Sequence, residues 1–314
     1  MAKYRVLSID GGGIRGLITT VMMQRLAATP ALKDFLDKVD LIAGTSTGGL
    51  LALGIARGLP LDEIRDLYLN DGKEIFDDSW FDDLLDLGKL RGADYKTKNM
   101  RRVFKRVLGK DTTLGDLDKH VLITAFDLDN KDPDKEKRTW KPKLFHNFEG
   151  PGTDSLELAF KVGLYTAAAP TYFPSVDGYI DGGVYANNPS MCALAQTQDE
   201  KYFDPPASIS EVVLLSFGTG TSLYYIEGKR HDWGYAQWIK PLIDLMLDGI
   251  SGIADYQCRQ ILRNRYHRLA PVFPSDISIP MDGVDRMDDM LAFAGDDNLV
   301  NLQGTIDWMT AHWM

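Results

Sequence analysis

A serine between glycines is the first feature of this sequence that could do covalent chemistry. Gly44-Thr45-Ser46-Thr47-Gly48 matches the spacing G-x-S-x-G and follows an apolar run that predicts a strand. In a nucleophile elbow, the sharp turn after a strand exposes the serine hydroxyl, and the elbow glycines, here Gly44 and Gly48, leave room for the strained backbone. A helix N-cap at Ser46 would give the same local pattern. The segment predicts acyl transfer through Ser46, provided that other groups complete the site.

A second glycine-rich turn, residues 10–16 (DGGGIRG), follows the strand predicted at Tyr4–Ile9 and opens a predicted helix. Unpaired backbone N–H groups gather at such a helix start and can bind an anion. Because neighbouring parallel strands end at the same edge of a sheet, we expect both turns to meet there. The N–H groups of Gly12 and Gly13 would then form an oxyanion hole beside Ser46.

The same turn also fits a different ligand, a dinucleotide. Gly11, Gly13 and Gly16 match the spacing G-x-G-x-x-G of a Rossmann-like nucleotide-binding protein. That motif expects an acidic residue at the end of the second strand, whereas Asp37 and Asp40 precede the apolar part of that strand. No Gly-Lys-Ser or Gly-Lys-Thr follows the glycines, which disfavours a phosphate-binding loop. Nucleotide binding is therefore the alternative to acyl transfer.

The serine also needs a base, because a hydroxyl is a weak nucleophile near neutral pH. Asp181, in Asp181-Gly182-Gly183, follows a predicted short strand and could accept the Ser46 proton directly if burial raises its basicity. An Asp-Gly turn without catalytic function fits the same residues. No histidine lies in a glycine-bracketed turn after a strand; the five are His120, His146, His231, His267 and His312.

A Ser-His-Asp esterase of the α/β-hydrolase type is the competing enzyme mechanism. It would use His231 or His267 as the base for Ser46. Those folds usually place several strands before the elbow, whereas Ser46 follows only the second predicted strand, and the first glycine turn would have no function. The sequence therefore favours a carboxylate base.

The composition excludes several classes of function. With 314 residues, 44% hydrophobic and 25% charged, the chain is typical of a folded globular protein. Its formal charge of −10 disfavours nucleic-acid binding, and two cysteines are too few for a disulfide framework. Asp127, Asp129 and Asp132 begin like a calcium loop, but Asp132 and Arg138 stand where an EF-hand needs Gly and Glu. We expect no metal and no cofactor, and hydrolysis that survives chelators.

The hydropathy pattern limits contact with membranes. No stretch of about eighteen uncharged apolar residues predicts a spanning helix. The first apolar run is too short for the hydrophobic region of a secretory signal. We expect a cytoplasmic protein whose membrane contact is peripheral.

Strands and helices alternate along one continuous pattern, which predicts a single α/β domain with a largely parallel sheet. Strands are predicted at Tyr4–Ile9, Val39–Ala43, His120–Asp127, Thr139–Phe148, Val176–Ile180 and, as the last one, Val212–Phe217. Helices are predicted at 14–26, 50–56, 61–70, 96–108, 155–168, 237–262 and 299–313. Both glycine turns and Asp181 then follow strands, as a shared site requires.

The three blocks Asp10–Gly16, Gly44–Gly48 and Asp181–Gly183, in this order, resemble the signature of the patatin-like phospholipases, whose catalysis is similar to that of cytosolic phospholipase A2. Two weaker blocks, Ala167–Pro174 and Ser216–Gly220, agree with it. The resemblance implies a three-layer α/β/α sandwich, Ser46 as nucleophile, Asp181 as base, and Gly11, Gly12, Gly13 and Arg15 as the oxyanion region. It covers about residues 4–220 of one domain spanning 1–314, in which 221–314 would be a helical part packed on the rest.

The resemblance also implies a lipid or acyl-ester substrate, and the sequence offers two apolar segments that could line its path. Residues 80–90 predict an amphipathic cap or lid, and 237–262 cover more than one helical face, which favours a buried helix over a membrane surface. A basic cluster at Lys96, Lys98, Arg101, Arg102, Lys105 and Arg106 fits a solvated helix face better than a headgroup site. An acyl-binding module without activity is the non-enzymatic alternative, disfavoured by the intact Ser46 and Asp181.

Overall fold

A computed structural model describes residues 3–76, 91–170, 172–202, 207–223, 225–226 and 234–314. Its seven described strands form one sheet: β1 (Tyr4–Ile9), β2 (Leu41–Thr45), β3 (His120–Asp127), β4 (Lys141–His146), β5 (Tyr179–Asp181), β6 (Val212–Phe217) and β7 (Tyr266–Leu269). The spatial order is β4-β3-β2-β1-β6-β7, with β5 paired to β3. The five strands from β3 to β7 in this order are parallel, and β4 and β5 run antiparallel to β3.

Helices cover both faces of the sheet. Their bounds are α1 (Gly16–Ala27), α2 (Thr47–Ala56), α3 (Leu61–Phe76), α4 (Arg91–Leu108), α5 (Ala159–Ala167), α6 (Gly183–Ala186), α7 (Ser190–Gln196), α8 (Tyr235–Leu262), α9 (Met287–Gly295) and α10 (Gln303–Trp308). Side chains alternate across β1: Leu7 and Ile9 pack with α1 to α5 and α9, whereas Val6 packs with α7 and the end of α8. The result is the expected three-layer α/β/α sandwich.

The central strands are apolar because they are buried on both faces. All residues of β2 and β6 are buried, and so are the last four of β1. This explains why short runs of Val, Leu and Ile predicted these strands within a few residues of their observed ends. The prediction at Thr139–Phe148 was longer than β4 at both ends: Thr139 and Trp140 are exposed and precede the strand, and Asn147 and Phe148 follow it.

The prediction that Val212–Phe217 is the last strand was wrong. β7 pairs in parallel with β6, with Leu214 opposite Tyr266 and Phe217 opposite Leu269. It has only four residues, and His267 and Arg268 stand in its middle, so the hydropathy pattern gave no strand signal. The part from 221 to 314 therefore adds a strand to the sheet as well as helices. Helices α7 and α9 were also not predicted.

The segment predicted as a cap, residues 80–90, lies outside the described residues. In the ranges that the structure does describe, no helix has the length and hydropathy needed to cross a membrane. The basic cluster on α4 is partly paired with acids of α3: Arg102 with Glu74 and Arg106 with Asp71. Lys105 lies over the Phe160 ring, 5.0 Å from its centroid. These contacts support the interpretation of the basic cluster as a solvated face of α4 rather than a binding site for lipid headgroups.

Candidate active site

Ser46 lies in the sharp turn between β2 and α2, with φ 55° and ψ −125°. Non-glycine residues avoid this region, so such strain is kept only where the surroundings enforce it. The turn is tight enough to require the elbow glycines. A side chain at Gly44 would overlap the main chain of Gly48, and one at Gly48 would overlap the carbonyl groups of Ile9 and Asp10. The backbone here makes a tight strand-to-helix turn, which is the geometry that an elbow requires.

The edge of β3 brings Asp181 next to Ser46. Along that edge β2 pairs through Thr45 with Thr124, and the next residue of β3, Ala125, pairs with Asp181 of β5. β5 therefore continues the line of β2 just where the chain turns away at Ser46. This short antiparallel strand is the element that places a carboxylate beside the elbow.

The Asp181 carboxylate is buried, with 4% of the residue exposed. Burial raises its pKa from 3.8 to about 6, while hydrogen bonds from the Ser46 hydroxyl and from the Gly183 N–H, the latter at 2.7 Å from Oδ1, act in the opposite direction. At neutral pH the carboxylate is ionised, and it binds a proton more strongly than an exposed aspartate does. These are the properties of a group that accepts a proton from a serine.

The first glycine turn borders the same cavity through Gly12 and Gly13. Gly13 has φ 59°, and a side chain there would overlap the Met281 carbonyl. No acceptor for the N–H of either glycine is found in the part of the chain that the structure describes. Both N–H groups are thus available to an oxygen bound in the cavity.

The other two residues predicted for the oxyanion region do not fit it. The Gly11 N–H donates to the Asn187 carbonyl at 3.0 Å, and the Arg15 N–H donates to the Gly12 carbonyl at 3.2 Å. The Arg15 guanidinium lies against the Ile279 carbonyl, with 3.5 Å between Nη1 and O. A run of glycines does not reveal which of its amides faces a cavity. The oxyanion region stays a prediction, for which these contacts favour Gly12 and Gly13.

Gly16, the third glycine of the nucleotide alternative, also faces protein. A side chain there would overlap the Tyr68 hydroxyl and Thr47 Oγ1. Thr47 and Tyr68 are themselves hydrogen-bonded. Gly16 therefore allows close packing of α1 against the elbow helix and α3, a role that needs no phosphate.

An ion pair that the sequence did not predict anchors the first glycine turn. Arg268 of β7 makes two hydrogen bonds to Asp10, Nη1 to Oδ1 at 3.1 Å and Nη2 to Oδ2 at 2.6 Å, and a third to Ser216 Oγ at 2.8 Å. Burial raises the pKa of Asp10, and the charge of Arg268 opposes that effect. Because a buried charge left alone is very unfavourable, this pair fixes the loop start. The only sequence signal was an arginine inside an unrecognised strand.

His267 lies far from Ser46. It belongs to β7, three strands from β2, which is roughly 14 Å at normal strand spacing. Its Nε2 is hydrogen-bonded to Thr305 Oγ1 at 2.9 Å, and its ring stacks on Trp308. His231 lies outside the described residues. Among the described histidines, none lines the cavity that holds Ser46.

Ser46 and Asp181 open into a mainly apolar cavity of about 160 Å³. An apolar cavity of that size can exclude water and hold a hydrocarbon group. Its apolar wall comes from α3, α4, the end of α5 and the segment after it, α6, α8 and the loop before α9: Ile75, Phe76, Met100, Ala167, Ala169, Pro170, Tyr172, Phe173, Val184, Met246, Leu247 and Met281. Within the described ranges no group of three His, Cys, Asp or Glu side chains is arranged to hold a metal ion.

The chain is similar to known lipid-hydrolysing proteins. Residues 7–194 match the family model described as patatin-like phospholipase. A cGAMP-activated phospholipase of Pseudomonas aeruginosa is 32% identical over 295 residues, covering 90% of this chain and 83% of that protein. A cGAMP-activated phospholipase of Escherichia coli is 34% identical over 233 residues, covering 69% of this chain but only 62% of that protein. Among solved structures, VipD from Legionella pneumophila matches 93% of this chain and 67% of its own, with a TM-score of 0.42 and 13% identity.

Proposed function

Because this chain belongs to the patatin-like phospholipase family and is accordingly a lipid ester hydrolase, we propose that it cleaves carboxylic esters of lipids through a Ser46/Asp181 dyad. The observation that carries the proposal is the hydrogen bond between the Ser46 hydroxyl and a buried carboxylate at an apolar cavity. The substrate class is an ester with at least one hydrocarbon chain. Nucleotide binding by the first glycine turn is not proposed, since the family and the contacts of Gly11 and Gly16 argue against it.

In the first step, Ser46 Oγ attacks the ester carbonyl carbon while its proton moves to the Asp181 carboxylate. The carbonyl π electrons move to the oxygen, which becomes an oxyanion. The Gly12 and Gly13 N–H groups, which border the cavity beside Ser46, are the donors that would stabilise it. Collapse of this intermediate breaks the bond to the alcohol, which leaves with the proton from Asp181, and an acyl-enzyme forms.

Water completes the cycle. Asp181 takes a proton from the attacking water, a second oxyanion forms in the same position, and its collapse releases the fatty acid as Ser46 Oγ regains the proton. Each step returns Asp181 to the ionised state, so one carboxylate serves as base and then as acid. Its raised pKa favours both directions of proton transfer, because the proton is neither too weakly nor too strongly held near neutral pH.

The carboxylate-only mechanism predicts that histidine is dispensable. Replacing His231 and His267 with alanine, singly and together, should leave hydrolysis of p-nitrophenyl butyrate within about threefold of the wild-type rate, since general-base catalysis by histidine is worth roughly 100-fold or more. The assay is run with and without cGAMP, because the relatives from P. aeruginosa and E. coli are cGAMP-activated phospholipases. Near-complete loss of activity in a folded histidine variant would exclude the Ser46/Asp181 dyad.

Exposed apolar side chains in the first half of α8 support peripheral contact with a lipid surface. Trp238, Leu242 and Leu245 are 36%, 47% and 47% exposed and lie on one side of the helix. The next two residues, Met246 and Leu247, line the cavity. In the second half of α8 one stripe, Ala254, Cys258 and Leu262, is buried against the rest of the protein, whereas Ile253 and Tyr256 are 52% and 59% exposed. The prediction of a buried helix therefore fits that stripe and not the exposed side. We propose that the first half inserts among lipid chains at the cavity mouth.

The charge near this surface predicts which membrane it prefers. Asp244 and Asp248 are exposed on the same half of α8, and the basic cluster on α4 is partly neutralised by ion pairs. With a net charge of −10 the protein is repelled by anionic lipid. The binding surface is therefore suited to zwitterionic lipid.

Substitution of Leu242 and Leu245 by glutamate should separate membrane binding from chemistry. We expect binding to phosphatidylcholine vesicles, measured by flotation, to fall about tenfold or more, since two partly exposed leucines lose their apolar contact. Hydrolysis of a soluble short-chain ester should not change. Ile261→Glu, at an exposed apolar position on the other end of α8, is the matched control. Equal binding by the double variant and the control would refute the proposed surface.

A further inference from the structure

We propose that the Thr166 hydroxyl positions Ser46 for reaction; this rests on the proposed role of Ser46 as nucleophile. Thr166 is fully buried near the end of α5. Its Oγ1 accepts the Ser46 backbone N–H at 2.8 Å. This bond is made to the one residue of the elbow that has the unfavourable backbone conformation, with φ 55°.

The bond holds the N–H side of the strained residue, whose carbonyl accepts the Leu50 N–H at 3.1 Å and whose hydroxyl bonds Asp181. The Ser46 N–H lies just before α2 and has no partner within that helix. In the described part of the chain, Thr166 is the only acceptor for it. Without the hydroxyl this half-buried N–H would lose its acceptor, and rotation of the peptide toward an ordinary backbone conformation would relieve the loss. That rotation would move Ser46 Oγ away from Asp181.

The end of α5 also holds the other member of the dyad. The Ala168 carbonyl, two residues after Thr166, accepts the Asp181 N–H at 2.9 Å. Ala167 and Ala169, on either side of Ala168 in the chain, line the cavity. One short segment therefore contacts the nucleophile through a side chain and the base through a carbonyl. Together with the pairing of β2 and β5 to β3, this segment sets the distance between Ser46 and Asp181, and Thr166 contributes its side chain to that link.

Two substitutions at Thr166 separate the hydroxyl from the methyl group. Valine keeps the shape of threonine and removes the acceptor, whereas serine keeps the acceptor and removes the methyl group that packs near Gly49. We expect Thr166→Val to lower kcat by about 100-fold with little change in KM, since displacing a reacting group by about 1 Å can cost that much. Thr166→Ser should stay within about threefold of wild type.

The assay is hydrolysis of p-nitrophenyl butyrate, per mole of folded protein measured by near-ultraviolet circular dichroism, together with the rate of labelling by a fluorophosphonate. Thr197→Val is the matched control, because Thr197 is equally buried but its hydroxyl bonds the Leu194 carbonyl away from the cavity. The control should keep wild-type kcat and labelling. Parallel loss of kcat and labelling in Thr166→Val alone would support the positioning role.

The contrary outcomes are distinct. A packing role for Thr166 predicts the reverse order, with Thr166→Val active and Thr166→Ser impaired, and would overturn the proposal. Failure of Thr166→Val to fold would also overturn it, because the residue would then serve folding rather than reaction. If wild-type activity does not depend on Ser46, the proposed function itself fails. If it does depend on Ser46 and Thr166→Val retains it, only the inference about Thr166 fails.

Discussion

Replacement of Ser46 with alanine is expected to lower hydrolysis of p-nitrophenyl butyrate by about 10⁴-fold or more. The substitution removes the atom that attacks the carbonyl and leaves the oxyanion donors and the cavity in place. Alanine can keep the Thr166 contact, because that bond uses the Ser46 backbone N–H. The variant should therefore fold normally and still bind substrate.

A change in rate must be distinguished from loss of structure. Ser210→Ala, at an exposed serine outside the cavity, is the control and should retain full activity. Binding of a lipid product by Ser46→Ala, measured by calorimetry, should persist. Equal hydrolysis by wild type and Ser46→Ala would mean that the protein is an acyl-binding module, or that another residue does the chemistry.

Replacement of Asp181 with asparagine is expected to lower kcat by roughly 10³- to 10⁴-fold, because an amide cannot take the Ser46 proton. The asparagine oxygen can still accept the Gly183 N–H that now bonds Oδ1. Unlike most buried substitutions, this one should raise stability at neutral pH. Burial holds the pKa of Asp181 at about 6 instead of 3.8, which is worth on the order of 3 kcal/mol against the ionised form.

The pH dependence has a definite sign. A pKa raised in the folded state means that the contribution of Asp181 to stability is fully present below pH 3.8 and is lost as the pH rises through about 6. Activity runs in the opposite direction: kcat/KM should fall as the pH drops below about 6, where Asp181 becomes protonated and cannot act as base. Thermal unfolding and rate measurements across pH 4.5–8, an interval set by that pKa, check both. A less stable Asp181→Asn, or a wild-type rate unchanged across pH 6, would contradict this account.

Local sequence patterns predicted the strands and turns that hold Ser46 and Asp181. Buried strands gave short apolar runs, and the turns at Ser46 and Asp181 carried glycines that the backbone geometry requires. Each of these signals is local, because the residues that make it up lie within a few positions of one another in the sequence. Ser46 and Asp181, which we propose as the reacting residues, and the sheet edge at which they meet could therefore be identified as candidates without the structure.

Contacts between distant segments could not be predicted in this way. Arg268 pairs with Asp10 across 258 residues of sequence. Arg268 lies in β7, which hydropathy did not predict because the two middle residues of that strand are polar. Thr166 is one of several buried threonines, and nothing near it in sequence distinguishes its hydroxyl. Which glycine amides face the cavity depended on Asn187, whose carbonyl takes the Gly11 N–H. Each of these depends on the packing of the whole chain.

The most direct test of the Ser46/Asp181 dyad is covalent labelling by a fluorophosphonate, followed by mass spectrometry of the modified peptide. We predict a single adduct on Ser46 in the wild-type protein, formed at least 100-fold more slowly in Asp181→Asn and at the wild-type rate when His231 and His267 are both alanine, in line with the worth of a general base. An adduct on a residue other than Ser46, or equal labelling rates with and without the Asp181 carboxylate, would contradict the dyad.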